Sequence, residues 1–257
     1  MFFSGDSLMP HVETLPILLK QLRLPTIAQY WEEFKNKADN NGWDCTEYLV
    51  ALCEQEVTER ESRRISRYVR ESKLVPGKSL ASFDFNRIDS NHRIKIEALA
   101  KNPDWVHQNK NLLLFGASGI GKTHIASAIG HSLVEQGIRL CIYNATVLVQ
   151  ELQKARQELQ LEKLLSKLDK YEVIIMDDIG YVKKNEMESH VLFEFIAHRY
   201  ERKSLIITAN QPFADWENIF ADHIMTVAAI DRLVHHATII ELQGESYRRY
   251  KALANNE

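Results

Sequence analysis

The segment GASGIGKT, Gly116 to Thr123, constrains the fold of this chain more than any other part of the sequence. It fits the pattern G-x-x-x-x-G-K-[ST], directly follows the apolar run NLLLF, and leads into a helical pattern that ends at Gly137. The glycines allow a tight turn whose backbone N–H groups, with the helix N-terminus, can surround a polyphosphate. A glycine-rich turn that fits the pattern by chance is the alternative, but the order of strand, loop and helix favours a nucleotide-binding loop.

The predicted nucleotide-binding residues of this region lie in the loop or at the start of its helix. They are Gly116, Ala117, Ser118, Gly119, Ile120, Gly121, Lys122, Thr123 and His124. Lys122 is expected to reach the β- and γ-phosphates as a positive charge, and the Thr123 hydroxyl is expected to bind Mg²⁺. The sequence therefore predicts ATP and Mg²⁺ as cofactors and places Lys122 among the catalytic residues.

Five short apolar runs alternate with helical stretches from about residue 80 onward. They are Leu112–Phe115, Leu140–Tyr143, Val173–Met176, Leu205–Thr208 and Thr238–Leu242. This alternation is typical of an α/β fold, in which a parallel sheet carries helices on both faces. Because each run is nearly continuous in apolarity, we predict five parallel strands that are buried on both faces.

The third apolar run, VIIM, ends on Asp177 and Asp178. A phosphate-binding loop of this type requires a carboxylate at the end of a neighbouring strand to hold Mg²⁺, and Asp177 has this Walker B position. Asp178 stands where many such ATPases have a glutamate that orients the attacking water. An exposed turn with two solvated charges is the alternative. Because aspartate is one methylene shorter than glutamate, we expect slow hydrolysis that a partner stimulates.

The fourth run, SLIITAN, ends on the polar residue Asn210. A side chain at this strand end can hydrogen-bond the attacking water or the γ-phosphate, so Asn210 is predicted to be a sensor, with Thr208 as the second choice. A plain strand-end turn is the alternative. Only the run Leu140–Tyr143 separates the loop strand from the aspartate strand along the chain. This spacing indicates the P-loop branch in which a further strand lies between these two in the sheet.

Arg232 comes just before the fifth run, in DRLVHHATIIEL. In ring-forming ATPases of the AAA+ type, an arginine at this place reaches the γ-phosphate held by the neighbouring subunit and contributes about 10³-fold or more in rate. We predict this catalytic role for Arg232, and the alternative is an intramolecular salt bridge to Asp231 or Asp222. His235 and His236 could indicate a metal site, but adjacent histidines on a helix point to different faces, which argues against zinc.

Residues 11–75 have helical periodicity, with apolar residues at i, i+3, i+4 and i+7. The pattern predicts a first helix around Leu15–Leu22, a second that starts at Pro25 and a third from about Cys45 to Lys73. A capping box of Asp44 and Glu47 is expected at the start of the third helix. The following LVPGKSL has the proline and glycine that are typical of a linker. The predicted organisation is a helical N-terminal domain for DNA or partner binding at 1–75, a linker at 76–84 and an ATPase domain at 85–257.

DNA contacts, if present, must come from local basic stretches, because the net charge of −3 gives no overall basic field. Three stretches compete: an arginine-lined helix, the helix after the second strand, and a lysine pair after the aspartates. Their residues are Arg60, Arg63, Arg64, Arg67, Arg70, Lys154, Arg156, Lys183 and Lys184. For each stretch the alternative is a solvated helix face or loop, and the N-terminal helices could instead bind a protein. Without a base-reading motif, contacts would be to phosphates and independent of sequence.

Several stretches of the chain resemble the IstB-type transposition helper ATPases, whose relatives include the DnaC-type helicase loaders. They are LLLFGASGIGKTHIASAIGHSL, VIIMDDIG, IITANQP, the N-terminal LLKQLRLPTIAQYWEE and, as the most specific, DRLVHHATIIELQGESYR. The resemblance covers most of residues 12–250 and implies an AAA+ core with little or no helical lid. It places Phe83 and Phe85 near the adenine base, whereas packing of both rings on the core is the alternative. Some relatives have glutamine at the position of Asn210.

The resemblance also implies a function. ATP would drive formation of a homo-oligomer on duplex DNA, and this oligomer would help a transposase select and capture target DNA. A DnaC-like helicase loader is the nearest competing function, since its chemistry is the same and only its partner differs. Two more functions compete with the transposition function. One is a P-loop phosphotransferase that acts on a small molecule, and the other is a nucleotide-gated DNA-binding scaffold with negligible turnover.

The cysteines Cys45, Cys53 and Cys141 form no CxxC pair and are typical of reduced thiols in a cytosolic protein. No apolar run approaches the roughly 18 residues of a membrane span. The N-terminus lacks the basic start of a secretory signal and contains the acidic residues Asp6 and Glu13. A cytoplasmic protein without membrane association is therefore expected.

Overall fold

The computed structural model describes residues 12–179, 185–211, 216, 223–244 and 246. The chain divides into two compact units between Ser66 and Arg67. This division lies inside a helix and not in the linker expected at 76–84, so the functional domain boundaries drawn from the sequence stay predictions. None of the helices in the described part of the chain is long and apolar enough to cross a membrane.

The N-terminal unit is built from helices. A 3-10 turn at Val12–Thr14 leads into α1 (Leu15–Gln21), α2 (Pro25–Asn41) and α3 (Cys45–Ser72), of which the last six residues belong to the second unit. The core of this unit consists of the buried Leu19, Ile27 and Leu52, against which Leu15, Leu24, Ala28, Trp31, Phe34 and Tyr48 pack. The three helices predicted for this region are therefore confirmed, and α3 ends one residue before the expected Lys73.

The predicted helix starts are also confirmed. Pro25 is the first residue of α2, where its missing N–H has no partner to lose. Asp44 and Glu47 form the expected capping box before α3: the Glu47 N–H donates to Asp44 Oδ1 at 2.8 Å, and the Asp44 N–H donates to Glu47 Oε2 at 2.9 Å. Gly42, which lies between α2 and α3, ends α2 in the left-handed conformation, with φ of 67°.

A buried carboxylate of α3 caps α2 from a distance. The backbone N–H groups of Thr26 and Ile27 donate to Glu56 Oε2 at 2.8 and 3.1 Å. Glu56 Oε1 lies 3.0 Å from Nη2 of Arg60 and 3.5 Å from Nη2 of Arg63. Burial alone would raise the pKa of Glu56, but the hydrogen bonds from Ile27, Arg60 and Thr26 outweigh it and hold this pKa below its usual value.

The second unit contains a parallel sheet with helices on both faces. Its elements are, in chain order, α4 (Ser90–Lys101), α5 (Asp104–His107), β1 (Asn111–Gly116), α6 (Lys122–Glu135), β2 (Leu140–Asn144), α7 (Ala145–Gln157), α8 (Leu161–Leu168), β3 (Val173–Asp177), α9 (Glu186–Arg199), β4 (Ser204–Ala209), α10 (His223–Val234) and β5 (Ala237–Leu242). The strand order is β2-β3-β4-β1-β5, and each neighbouring pair is parallel. The predicted five-stranded parallel sheet is therefore confirmed, and so is the strand β4 between β1 and β3.

Two hydrophobic clusters fill the space above and below the sheet. On one face, residues of α7 to α10 such as Leu148 and Phe195 pack against the strands, and on the other, residues of α4 and α6 such as Ile96 and Ile129 do so. β1, β3 and β4 are almost completely buried, as predicted. The predicted burial on both faces is wrong for β2 and β5, because these two strands form the edges of the sheet and contain exposed residues. A helical lid would lie after Leu242, and most of these residues are outside the described part of the chain. The absence of a full lid therefore stays a prediction.

The contacts of Glu56 yield a stability prediction. Glu56→Gln removes the negative charge that two arginines and two backbone N–H groups contact. We therefore expect the free energy of unfolding at pH 7 to fall by about 1–3 kcal/mol. Because the pKa of Glu56 is lowered in the folded state, its stabilising effect is present above the pKa of the unfolded carboxyl and is lost as the pH falls through the folded value.

Denaturant unfolding of the variant and the wild type at pH 7 and at acidic pH measures this difference. Glu54→Gln, which changes an exposed carboxylate on the same helix, is the matched control and should leave stability unchanged. Equal stability of the Glu56 and Glu54 variants at pH 7 would contradict the capping role.

Candidate nucleotide-binding and catalytic site

The predicted site residues from three strands meet at one edge of the sheet. β1, β3 and β4 are parallel neighbours, so their carboxyl ends open on the same side, and a cavity of about 510 Å³ lies there. The predicted residues that line this cavity are Phe83, Ser118, Gly119, Ile120, Gly121, Lys122, Thr123, His124, Asp177, Asp178 and Asn210. Gly116 and Ala117 contribute carbonyl groups beside it. The structure thus brings together the loop, the aspartates and the sensor that were predicted from separate parts of the sequence.

Two glycines of the loop have backbone conformations that other residues rarely adopt. Gly116 has φ of 142°, and a Cβ there would collide with the backbone carbonyl of Leu242 at the end of β5. Gly121 has φ of 105°, and a Cβ would come within 2.6 Å of the Phe83 ring. The loop therefore needs glycine at these positions both for the turn and for the close approach of its neighbours.

The Lys122 side chain is buried at the base of the loop. Its Nζ donates to the carbonyls of Gly116 at 2.7 Å and Ala117 at 2.9 Å, and to Oδ1 of Asn210 at 2.6 Å. A buried ammonium requires such acceptors, and of these three Asn210 lines the cavity together with Lys122 itself. The charge of Lys122 is therefore held where the phosphates of a nucleotide would lie.

Asp177 is surrounded by hydroxyl groups. Thr123 Oγ1 donates to both carboxylate oxygens, at 2.8 and 3.1 Å, and Thr208 Oγ1 donates to Oδ1 at 2.7 Å. Carboxylate and hydroxyl oxygens are hard ligands of the kind that Mg²⁺ prefers, and Mg²⁺ is usually bound by one or two protein groups plus phosphates and water. Thr123 and Asp177 therefore fit a magnesium site at the cavity.

Asp178 has a left-handed backbone conformation, with φ of 65°. Its N–H donates to Thr208 Oγ1 at 2.8 Å, and its Oδ1 accepts from Nδ2 of Asn210 at 2.6 Å. Aspartate and asparagine tolerate this conformation better than most other residues with a Cβ. The turn at the end of β3 thus gives a physical reason for an aspartate here in place of the glutamate of many ATPases.

Asn210 and Thr208 bridge different pairs of residues at this site. Asn210 bridges Lys122 and Asp178 with the two ends of its amide. Thr208 uses one hydroxyl to bridge the two aspartates: it donates to Asp177 and accepts from the Asp178 N–H. Thr208 was predicted only as the second choice for the sensor. The position of its hydroxyl between the two aspartates depends on the register of β3 against β4, which the sequence does not show.

The segment that was expected to be a linker forms a wall of the cavity. Gly77, Lys78, Ser82 and Asp84 of this segment line it beside Phe83. Arg87, which follows the segment, and Asn144, at the end of β2, line it as well. The Phe83 ring lies 5.3 Å from the His124 ring and 5.0 Å from the Phe85 ring, measured between centroids. His124 Nε2 lies 3.0 Å from the Ser79 carbonyl oxygen and so ties this segment to α6. Of these wall residues only Phe83 was named from the sequence, whereas Phe85, named with it, does not line the cavity.

Arg232 lies in the last turn of α10 and does not line the described cavity. Its Nη1 donates to the Ala228 carbonyl at 2.8 Å, and its guanidinium lies 5.2 Å from the centroid of the Phe193 ring. Asp222, one of the alternative ion-pair partners, is outside the described residues. The geometry is compatible with a role of Arg232 at the site of another subunit, which stays a prediction.

Several of the predicted DNA-binding arginines contact other protein groups. Arg60 and Arg63 approach Glu56, and Arg63 also donates to the Thr26 hydroxyl at 3.1 Å. Arg64 lies 2.6 Å from Glu61. The first part of the arginine-lined helix therefore contributes to the N-terminal unit itself.

The remaining basic candidates are placed as follows. In the second unit Arg67 lies 3.9 Å from Glu71, and Arg70 is exposed. On α7, Lys154 lies 3.9 Å from Glu158 and Arg156 lies 3.4 Å from Glu194. Lys183 and Lys184 are outside the described residues. A DNA contact at any of these positions stays a prediction.

The two phenylalanines give a prediction for nucleotide affinity. Phe83 lines the cavity and packs on Gly121 and His124, whereas Phe85 contacts Phe83 from behind. We expect Phe83→Ala to weaken ATP binding about tenfold, because it removes an aromatic wall. Phe85→Ala, the matched control, should have a clearly smaller effect. Titration with a fluorescent ATP analogue measures both, and equal losses, or no loss for Phe83→Ala, would contradict this assignment.

Comparison with known proteins identifies the family. The profile of the family described as IstB-like ATP binding protein matches residues 17–254. An insertion sequence ATP-binding protein of Sinorhizobium fredii is 49% identical over 239 residues, which are 93% of this chain and 80% of that protein. A similar protein of Geobacillus stearothermophilus is 36% identical, over 89% of this chain and 90% of that one, and one of Pseudomonas aeruginosa is 35% identical, over 91% and 88%.

Solved structures show the same fold at lower identity. DnaI has a TM-score of 0.54 at 22% identity, with 64% of this chain and 90% of DnaI covered. The DnaC helicase loader has a TM-score of 0.51 at 18% identity, covering 69% and 99%, and a replication initiator DnaA has 0.56 at 16%, covering 72% and 56%. These similarities establish the AAA+ P-loop fold. The chain therefore belongs to the IstB-like ATP-binding proteins, the ATP-binding proteins of insertion sequences, and it has the nucleotide-binding core of the AAA+ ATPases.

Proposed function

We propose that this protein is a DNA-dependent ATPase of transposition, which assembles on duplex DNA with ATP and helps a transposase to select and capture its target. The observation that carries the proposal is the bridging of Lys122 and Asp178 by Asn210, beside the Thr123–Asp177 pair. The insertion-sequence names of relatives up to 49% identical support a transposase as the partner.

Nucleotide binding would change the contacts of Lys122. In the structure its ammonium donates to two loop carbonyls and to Asn210. Phosphate oxygens offer charged acceptors in the same cavity, and charge-assisted hydrogen bonds are stronger than those to neutral carbonyls. Lys122 would therefore turn from the loop to the phosphates, and the loop N–H groups would bind them as well.

Thr123 and Asp177 would hold Mg²⁺, which when bound neutralises phosphate charge in the transition state. For Asp177 this requires that the Thr123 and Thr208 hydroxyls keep its carboxylate in place, as they do here. Loss of the Thr208 hydroxyl would remove one hydrogen bond to Asp177 Oδ1 and the acceptor of the Asp178 N–H at once. Thr208 is thus proposed as a positioning residue for both carboxylates.

Asp178 would orient the attacking water and accept its proton. In the structure its Oδ1 accepts a hydrogen bond of 2.6 Å from Asn210, so one of its oxygens is already occupied. When Lys122 turns to the phosphates, Asn210 loses one of its two partners and becomes able to contact the water or the γ-phosphate. The short side chain of Asp178 and this competition for it agree with slow hydrolysis until DNA or a protein partner shifts the arrangement.

A helicase loader remains the second candidate function. DnaI and the DnaC helicase loader are among the structures with the same fold, although at 22% and 18% identity they support only the fold. Pull-down of the purified protein with the transposase of the same insertion sequence and with a replicative helicase separates the two functions. Retention of the helicase alone would favour the loader.

The role of Asp178 gives a prediction for hydrolysis. Asp178→Asn keeps a side chain that tolerates φ of 65° and keeps an acceptor for Asn210, but it removes the charge that accepts a proton. We expect ATP hydrolysis in the presence of DNA to fall about 100-fold or more, with ATP affinity unchanged. Asp89→Asn, at an exposed helix cap, is the matched control and should retain the wild-type rate. A wild-type rate in the Asp178 variant would exclude it as the group that activates water.

The position of Arg232 gives a prediction for assembly. Since Arg232 does not line the cavity described for its own subunit, Arg232→Ala should leave ATP affinity of the monomer unchanged. With an ATP analogue and duplex DNA, light scattering should detect a large assembly for the wild type and a smaller one for the variant, and hydrolysis should fall about 10³-fold. Arg202→Ala, which changes an exposed arginine paired with Asp169 at 3.3 Å, is the control. The same mass and rate in wild type and Arg232→Ala would contradict action in trans.

A further inference from the structure

A second polar cluster lies at the opposite end of the sheet from the nucleotide cavity. Glu201 is in the turn after α9, and His235 and His236 form the turn between α10 and β5. Asn111, the first residue of β1, pairs in register with Ala237, the first residue of β5, so this cluster is at the amino ends of the strands. The phosphate-binding loop follows the carboxyl end of β1, and the two sites are therefore distinct.

The two histidines are closer together than the sequence suggested. Adjacent histidines on a helix would point to different faces, but α10 ends at Val234 and the pair lies in a turn. Their ring centroids are 4.0 Å apart, and His236 Nε2 lies 3.8 Å from Glu201 Oε1. One ring nitrogen of each histidine and one Glu201 oxygen all lie within 4.8 Å of one another. His235 and His236 are thus not on a helix, and the argument against a metal site that rested on helical geometry does not apply to them.

We propose that Glu201, His235 and His236 bind one Zn²⁺ ion, with water in the fourth position. Imidazole and carboxylate groups are the ligands that Zn²⁺ takes at 2.0–2.2 Å, and at tetrahedral angles such ligand atoms stand about 3.4 Å apart. The three side chains are exposed, so their rotation can bring the ligand atoms, which already lie within 4.8 Å of one another, to this spacing, and the ion reaches the site from solvent. Magnesium, which prefers oxygen ligands, would not compete well for two imidazoles.

The backbone on both sides of this cluster is held in place. Asn109 Nδ2 donates to the Glu201 carbonyl at 3.0 Å, and the Asn111 N–H donates to the His236 carbonyl at 2.9 Å. The Tyr200 hydroxyl lies 2.8 Å from Nδ1 of His235. An oxygen partner of this kind on one ring nitrogen orients a histidine for a metal on the other. The site thus has fixed turns and one oriented ring before the ion arrives.

A bound ion would join the turn after α9 to the turn after α10. The second turn begins three residues after Arg232, so the ion would fix the end of the helix that carries this arginine. This effect is separate from nucleotide binding, and the site does not depend on the proposed function. Binding to the folded protein alone would also raise its resistance to unfolding as the ion concentration rises.

Calorimetric titration with ZnCl₂ tests the site directly. The protein is untagged, free of nucleotide, and carries Cys45→Ser and Cys53→Ser, because exposed thiols also bind zinc. We expect binding of one ion that weakens at least about tenfold in His235→Ala, in His236→Ala and in Glu201→Gln. His190→Ala, which changes an exposed histidine on α9 away from the three ligands, should bind zinc with the same affinity as the protein that carries only the two cysteine substitutions.

Cobalt provides a second readout that a merely structural effect would not change. Co²⁺ in the same background should give the visible absorption of a tetrahedral site, and the three ligand variants should lose it while retaining ATP binding. Absence of zinc binding, or binding that is unchanged in all three variants, would overturn the proposal. Loss of binding in His190→Ala to the same extent would overturn it as well.

Discussion

The site depends on how two adjacent carboxylates are kept together at the end of one buried strand. Asp177 and Asp178 would repel each other, and the structure gives them different neighbours. Asp177 accepts hydrogen bonds from the Thr123 and Thr208 hydroxyls, and Asp178 accepts one from Asn210, which also contacts Lys122. Because Thr208 and Asn210 come from β4 and the residue that follows it, the pairing of β3 with β4 determines this separation of roles.

Local patterns in the sequence were sufficient to predict most of the fold. Each strand is a short apolar run, the loop has its own motif, and the capping box of Asp44 and Glu47 depends only on residues three apart. Parallel strands with helices between them follow from the alternation of these segments. The insertion of one strand between the loop strand and the aspartate strand was predicted, because the number of runs between the two motifs distinguishes one branch of the P-loop proteins from another. The full strand order came only from the structure.

Features that depend on distant residues were not predictable in this way. The bridging hydroxyl of Thr208 follows from strand register, and the cavity wall around Gly77 and Arg87 follows from the packing of an apparent linker against α6. The stripe of arginines on α3 suggested a DNA surface, yet Arg60 and Arg63 surround the buried Glu56. A charge pattern alone does not distinguish a nucleic-acid contact from an internal ion pair, since both place arginine at the same helical spacing.

Asn210 links these observations to the proposed function, because it contacts both Lys122 and Asp178. We therefore expect an ATPase that is slow alone, since the Asp178 side chain is short and hydrogen-bonded to Asn210, and that becomes faster when DNA shifts this contact. Phosphate release by the purified protein, measured with and without duplex DNA under otherwise equal conditions, tests this most directly. Slow release that DNA raises severalfold is the predicted result, whereas fast release without DNA, or none under either condition, would contradict the account.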